Sequence, residues 1–258
     1  MNILIDIGGS GVKISTHSRG TIGEVVNYGD VRSVESFVEM IRQSAGGSRV
    51  EGIAISAAGF VNADEGKIIR SRVAEALEGN IVRNLNSYFP FAKIAVVNDG
   101  EAHARALLYP GRNVRFGAIH LAFGTSVSFG VINEKKQIVR TCSGENWDLG
   151  DFELRTREAP YEVWYKLGSK GLQELEGNHK IDDPYVHFGW RLGNFLRNLA
   201  VIFRPRTIGL SGGIISSYKS SILKGVRDEF RDPVFSEKID IVVLSGQSSV
   251  MEGLTTLL

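Results

Sequence analysis

The chain holds one cysteine, Cys142, among 258 residues. A single thiol can neither close a disulfide within the chain nor build a cysteine-based zinc site. A reduced, cytoplasmic setting is the expectation that follows. Prolines number only 6, and there is no long Pro/Gly/Ser linker, low-complexity tract or repeat of fixed period. No apolar run approaches the ~18 residues that would span a bilayer, so no membrane partner is expected. A signal segment is not expected either, because Ile3–Ile7 is short and is interrupted by Asp6. Neither sign of charge dominates: Lys plus Arg number 30 and Asp plus Glu 29, giving a net charge of +1. That balance offers no basic footprint for nucleic acid. The five histidines are dispersed. HExxH pairs, Walker A loops, GxGxxG fingerprints and GxSxG elbows are all absent.

Glycine is plentiful, with 30 residues gathered at turns between apolar segments. Alternation and apolar runs predict strands over Ile3–Ile7, Val12–Thr16, Ile22–Tyr28, Val50–Ser56 and Ile94–Val97. Helical spacing is read over Val34–Ser44, Ile81–Phe89 and Glu101–Tyr109. A second β block follows, Phe116–Ala122, Val127–Asn133 and Gln137–Thr141, read as a meander. Long helical patterns then cover Pro160–Leu175, Tyr185–Arg204 and Ile214–Arg231. Short strands at Thr207–Leu210 and Ile239–Leu244 precede a closing helix, Ser248–Leu258. The pattern β-β-β-α-β-α thus occurs and then approximately recurs. An α/β protein of two similar lobes is expected, each a mixed sheet flanked by helices. The lobes are placed at 1–112, joined by the C-terminal helix 247–258, and at 113–246.

Four stretches can carry chemistry. In Asp6-Ile7-Gly8-Gly9-Ser10-Gly11-Val12-Lys13 an acidic residue ends an apolar strand and small residues make the turn. Such a turn lets backbone N–H groups approach a phosphate, and Asp6 can hold magnesium directly or through water. A tight hairpin needing glycines accounts for the same residues. In Ile94–Ala102 a buried strand delivers Asn98 and Asp99 to its carboxyl end, where open α/β sheets place ligands. Asp99 can accept a proton from a substrate hydroxyl there. Equally, Asn98 with Glu101 three residues later fits a helix capping box. Leu121–Gly130 is a strand, a Gly124-Thr125-Ser126 turn and a strand, suited to a second phosphate or to a plain hairpin. Thr207–Ile215 is a strand, a Gly212-Gly213 turn and a helix, where a flat base could lie against bare backbone. His103, on the helix after Asp99, is expected at the surface.

Taken in order, these stretches resemble the sugar-kinase branch of the actin-like ATPase (ribonuclease H-like) superfamily, and more narrowly the ROK family. The resemblance spans nearly the whole chain. It rests on Asp6–Lys13, Val97–Ala102, Gly124–Ile132, Ser143-Gly144-Glu145 and Arg204–Ile214. It implies that Asp6, Gly8, Gly9 and Ser10, with Lys13 beside them, and Gly124 and Thr125 contact phosphate and magnesium. It further implies Gly212 and Gly213 against adenosine and Asp99 as catalytic base. The sugar hydroxyls would fall to Asn98, Asp99, Glu145 and the loop at Gly59. Cofactors would be ATP and Mg2+, partners a small sugar and a nucleotide held between the lobes, and the assembly a homodimer.

Departures from the family pattern accompany the match. Glu145 is followed by Asn146-Trp147-Asp148 instead of Ile-Gly-His, and the zinc-binding cysteine segment and downstream sugar-site Glu are missing. The sugar-loop Pro-Gly is reduced to Ala58-Gly59. No zinc is therefore expected, and the acceptor is not assumed to be glucose. The leading expectation is ATP-dependent phosphorylation of a sugar hydroxyl. A sugar-sensing regulator without turnover is an alternative, though with Met1 directly before the first strand a DNA-binding helix-turn-helix is not expected. A polyphosphate glucokinase or type III pantothenate kinase are others on the same fold.

Overall fold

The computed structural model describes residues 1–149, 153–155, 160–230 and 238–258. The strands are β1 (Asn2–Gly8), β2 (Gly11–Ser18), β3 (Thr21–Ile22), β4 (Val26–Tyr28), β5 (Gly52–Ala57), β6 (Phe60–Asn62), β7 (Lys67–Arg70), β8 (Lys93–Asn98), β9 (Ala118–Phe123), β10 (Val127–Ile132), β11 (Ile138–Val139), β12 (Glu153–Arg155), β13 (Pro160–Glu162), β14 (Thr207–Ser211) and β15 (Asp240–Val243). The helices are α1 (Val34–Ala45), α2 (Ile81–Asn86), α3 (Asp99–Arg105), α4 (Val163–Lys166), α5 (Ser169–Glu176), α6 (Pro184–Phe203), α7 (Gly213–Ser217), α8 (Lys219–Glu229) and α9 (Gly246–Thr255).

The chain divides into two compact units. Unit 1 is Met1–Arg112, Ile138–Trp147 and Ser248–Leu258; unit 2 is Asn113–Gln137 and Asp148–Gln247. In unit 1 the sheet runs β3-β2-β1-β5-β8, with β4 also on β2. The β1–β2 hairpin is antiparallel, whereas β5 is parallel to both β1 and β8. All six residues of β5 are buried, as expected of a strand covered on both faces. One face packs Ile3, Ile5, Phe37, Ile41, Ile53 and Ile55 into a core with α1. The other places Leu4, Ala54 and Val97 against Val250, Met251 and Leu254 of α9. The helix α1 starts at Ser33, whose hydroxyl accepts from the Ser36 N–H at 3.1 Å, and stops at Gly46 in the left-handed region.

Unit 2 repeats the plan. β9 and β10 form an antiparallel hairpin, and β14 lies parallel to both β9 and β15. Phe123, Phe188, Leu192, Phe195 and Leu196 are fully buried there, and the Phe123 and Phe188 rings meet edge-on at 6.4 Å. Pro184 opens α6, where its missing N–H costs nothing, and Asp183 Oδ1 accepts from the N–H groups of Tyr185 and Val186 at 3.0 Å.

Several sequence expectations are corrected. Pro160–Leu175 is not one helix: Pro160 begins a strand opposite Arg155, and Gly168 separates α4 from α5. A proline is tolerated at the first residue of a strand but not inside a helix. The helix expected from Ile214 breaks at Tyr218, whose φ of −125° is not helical, and its expected end at residue 231 lies outside the described residues. The strand expected over Ile22–Tyr28 is two short ones, β3 and β4. The β6–β7 hairpin was not anticipated, because three- and four-residue strands leave too little alternation to read. Ile138–Trp147, assigned by chain order to the second lobe, groups with unit 1. Arg140 there pairs with Glu101 and Asp64, and Asn146 Oδ1 accepts from the Val61 N–H at 3.1 Å.

Candidate active site

In unit 1 the parallel strands β1, β5 and β8 deliver Gly8, Ala57 and Asn98 to one end of the sheet. Asp6 is the direct register partner of both Lys13 on β2 and Ser56 on β5. The Ser56 hydroxyl donates to Asp6 Oδ1 at 3.0 Å, and Lys13 Nζ stands 4.0 Å from Oδ2. Burial pushes the Asp6 carboxyl above its ordinary range, against the opposing pull of Lys13 and the Ser56 bond. One ammonium at the outer limit of an ion pair and one hydroxyl leave this carboxylate short of compensation. Gly9 and Ser10, at the turn that follows, are exposed.

Asn98 and Asp99 divide the work at the start of α3. Asn98 is the N-cap and is buried; its Oδ1 accepts from the Gly100 N–H at 2.8 Å. Its Nδ2 donates to the Gly59 carbonyl at 2.8 Å, so the cap also fixes the Ala58–Gly59 loop. Asp99 Oδ1 takes a second bond from the same Gly100 N–H at 3.0 Å, and the residue is half-buried. The capping box with Glu101 does not form. Buried Glu101 instead binds Arg105 and Arg140, because two guanidinium forks outbid a backbone N–H for its oxygens.

His103 corrects the expectation that it is a surface residue. It is half-buried, one helical turn after Asp99, and its Nδ1 shares a 2.9 Å hydrogen bond with the Ser249 hydroxyl of α9. Burial lowers its pKa to about 4; the Asp99 charge raises it and the Lys13 charge lowers it. At neutral pH the imidazole is uncharged beside Asp99. The four-residue spacing from Asp99 is the one hint of this in the chain, since Ser249 is 146 positions away. Glu145 is half-buried in its loop, where Ser143 Oγ donates to Oε2 at 3.4 Å. Trp147 Nε1 donates to the Val139 carbonyl at 2.8 Å.

In unit 2 the exposed turn Gly124-Thr125-Ser126 joins β9 to β10, closed by a Gly124 N–H to Ser126 carbonyl bond of 3.0 Å. The Ser169 N–H donates to the Gly124 carbonyl at 3.0 Å and holds the turn from behind. Gly212 follows β14 with φ 100°, and a Cβ there would stand 2.1 Å from the Phe123 carbonyl oxygen. Only glycine therefore lets β14 pass β9 at this point. Nothing lies within 4 Å of a Cβ built on Gly213.

Among the described residues no three His, Cys, Asp or Glu side chains converge on a metal position. No described helix is long and apolar enough to cross a membrane. Neither a family model nor a curated protein matches the sequence. Solved structures do match. A candidate sugar kinase from Cytophaga hutchinsonii aligns with a TM-score of 0.81 at 22% identity, over 100% of this chain and 99% of that one. The chain has the fold of the ROK sugar kinases. A ROK family protein from Streptococcus pneumoniae in complex with sucrose gives 0.80 at 19% identity, covering 100% and 97%. A ROK family glucokinase from Streptomyces griseus in complex with glucose and AMPPNP gives 0.74 at 18%, covering 99% and 98%. Its mixed sheets flanked by helices are the architecture that the ROK resemblance implies.

Proposed function

We propose that the protein is an ATP- and magnesium-dependent kinase for a hydroxyl of a sugar or sugar derivative, with Asp99 as general base. The observation that carries the reading is the position of Asp99. It stands at the carboxyl end of a buried parallel strand, and Asn98 already caps the helix.

Phosphoryl transfer asks the protein mainly to align an acceptor hydroxyl and to neutralise phosphate charge. Asp99 accepts the hydroxyl proton as the acceptor oxygen bonds to the terminal phosphorus and ADP leaves. Neutral His103 keeps a competing positive charge away from that carboxylate, and burial together with the Lys13 charge holds it neutral. The turn amides of Gly8, Gly9 and Ser10, and those of Gly124 and Thr125, suit phosphate oxygens. Gly212 and Gly213 suit the adenosine, and Glu145, the Gly59 loop and the spare Asn98 N–H suit sugar hydroxyls.

Magnesium fits Asp6, a half-buried carboxylate with incomplete compensation. Such an ion takes one or two carboxylates and completes its shell with phosphates and water, so a single acid suffices. When bound, it supplies charge neutralisation on the donor phosphates.

The fold supports this reading, as do the glucose and AMPPNP held by the Streptomyces glucokinase. The test is ADP release from ATP and magnesium across hexoses, N-acetylhexosamines, sugar acids and pantothenate, and release of the phosphorylated acceptor when polyphosphate replaces ATP as donor. Release with a sugar class and ATP is expected. Transfer only to pantothenate, or none from ATP, contradicts the reading.

A further inference from the structure

Unit 1 contains a cavity of ≈ 510 Å³ beside the Gly8–Gly9 turn, lined also by Asp30, Arg72 and Glu75. The volume falls within the ~300–1,000 Å³ of small-molecule sites. We propose that it binds a hydroxylated acid, a sugar derivative carrying a carboxylate or a phosphate, with Arg72 holding the acid and Asp30 and Glu75 accepting hydroxyls.

Three observations carry this. First, Arg72 shares the cavity with two carboxylates, yet no ion pair among the described residues involves Arg72, Asp30 or Glu75. All three side chains are exposed and open to a ligand. Second, the backbone under Arg72 is fixed. Buried Ser71 donates its hydroxyl to the Ala58 carbonyl at 2.6 Å, accepts from the Ala74 N–H at 3.0 Å, and donates its own N–H to Glu78 Oε1 at 2.8 Å. Arg72 therefore projects from a segment tied to the Ala58–Gly59 loop. Third, a Cβ on Gly8 would meet nothing within 4 Å, so the turn presents bare backbone to the space.

Chemistry narrows the occupant. The guanidinium fork matches a carboxylate or phosphate bidentately. A bare anion would gain that contact but would face two unpaired carboxylates. A neutral sugar would satisfy the carboxylates through its hydroxyls and leave the guanidinium unused. A polyol bearing one acid group meets all three. Making this molecule the phosphoryl acceptor rests on the kinase reading; its binding does not.

The test is calorimetric titration, without nucleotide, of D-glucose against D-glucuronate and glucose 6-phosphate, and of N-acetylglucosamine against N-acetylmuramate. At least one acid should bind about tenfold or more tightly than its neutral parent. Glucuronate against the 6-phosphate tells which acid is preferred. Arg72→Gln should erase the gain with an unchanged melt, and Arg72→Lys should restore only part of it. No gain for any acid, or a gain that survives Arg72→Gln, overturns the proposal. So does an Arg72→Gln variant that loses affinity for Mg-ATP instead, which would assign Arg72 to the donor. ADP release measured in parallel separates the two readings. Acid binding without transfer keeps this site and removes the kinase reading. Transfer to neutral sugars with no acid gain does the reverse.

Discussion

Asn98 and Asp99 are adjacent and chemically close, yet their surroundings give them different work. Both ends of the Asn98 amide are bonded, to Gly100 and to Gly59. Asn98→Ala should therefore loosen the Gly59 loop and cost about 1–3 kcal/mol, measurable by urea unfolding. Asp6→Ala should remove the carboxylate suited to magnesium. Mg-ATP affinity or turnover should fall sharply while the melt holds or rises, since burial already disfavours that charge. Unchanged kinetics would take Asp6 out of the site. His103 gives a pH signature. Its folded pKa of about 4 lies below its ordinary 6.5, with Asp99, Lys13 and Ser249 facing it. Above pH ~6.5 it is neutral folded or unfolded, and its contribution is complete. Between ~6.5 and ~4 only the unfolded chain takes the proton, so stability should fall with pH by up to about 3 kcal/mol. His103→Gln should flatten that part of the unfolding profile. Asp6 and Asp99 were legible in the sequence because each stands at or near the end of an apolar strand. The His103–Ser249 bond was not, because only folding brings α9 to α3.

The helices α1 and α6 announced themselves by periodicity, because caps and apolar spacing agree there. Elements held by pairing alone did not, as in β6–β7, whose register shifts between Phe60 and Val61. The closing helix α9 was read correctly as a helix, but what it packs against is set by one residue. A Cβ on Gly253 would stand 1.8 Å from the Ala102 carbonyl oxygen on α3. Backbone cannot yield as a flexible side chain can. Gly253→Ala should push α9 off α3 and cost at least the ~1–3 kcal/mol of an overpacked core. At about 2–4 °C per kcal/mol for a chain of this size, the melting temperature should drop visibly. An unchanged melt would mean that α9 does not dock as described.

At the scale of the molecule, the chain passes between its two units near residues 112, 137, 147 and 247. The doubled plan of hairpin, parallel strand and glycine turn was legible because both halves repeat the same punctuation. The excursion of Ile138–Trp147 was not, because the Arg140 pairs with Glu101 and Asp64 are long-range. Removing residues 246–258 should strip Val250, Met251 and Leu254 from Leu4, Ala54 and Val97. Light scattering and a melt should then report aggregation and lost stability. The claim that joins these scales is that Asp99 takes a proton from an acceptor hydroxyl during transfer from ATP. The direct measurement is kcat for wild type and Asp99→Asn on the same acceptor, beside Mg-ATP affinity and melting temperature. Asn caps a helix about as well as Asp but is no base. The account predicts a kcat lower by about 10²–10⁴-fold with affinity and melt nearly unchanged. Retained turnover with a normal melt would contradict it.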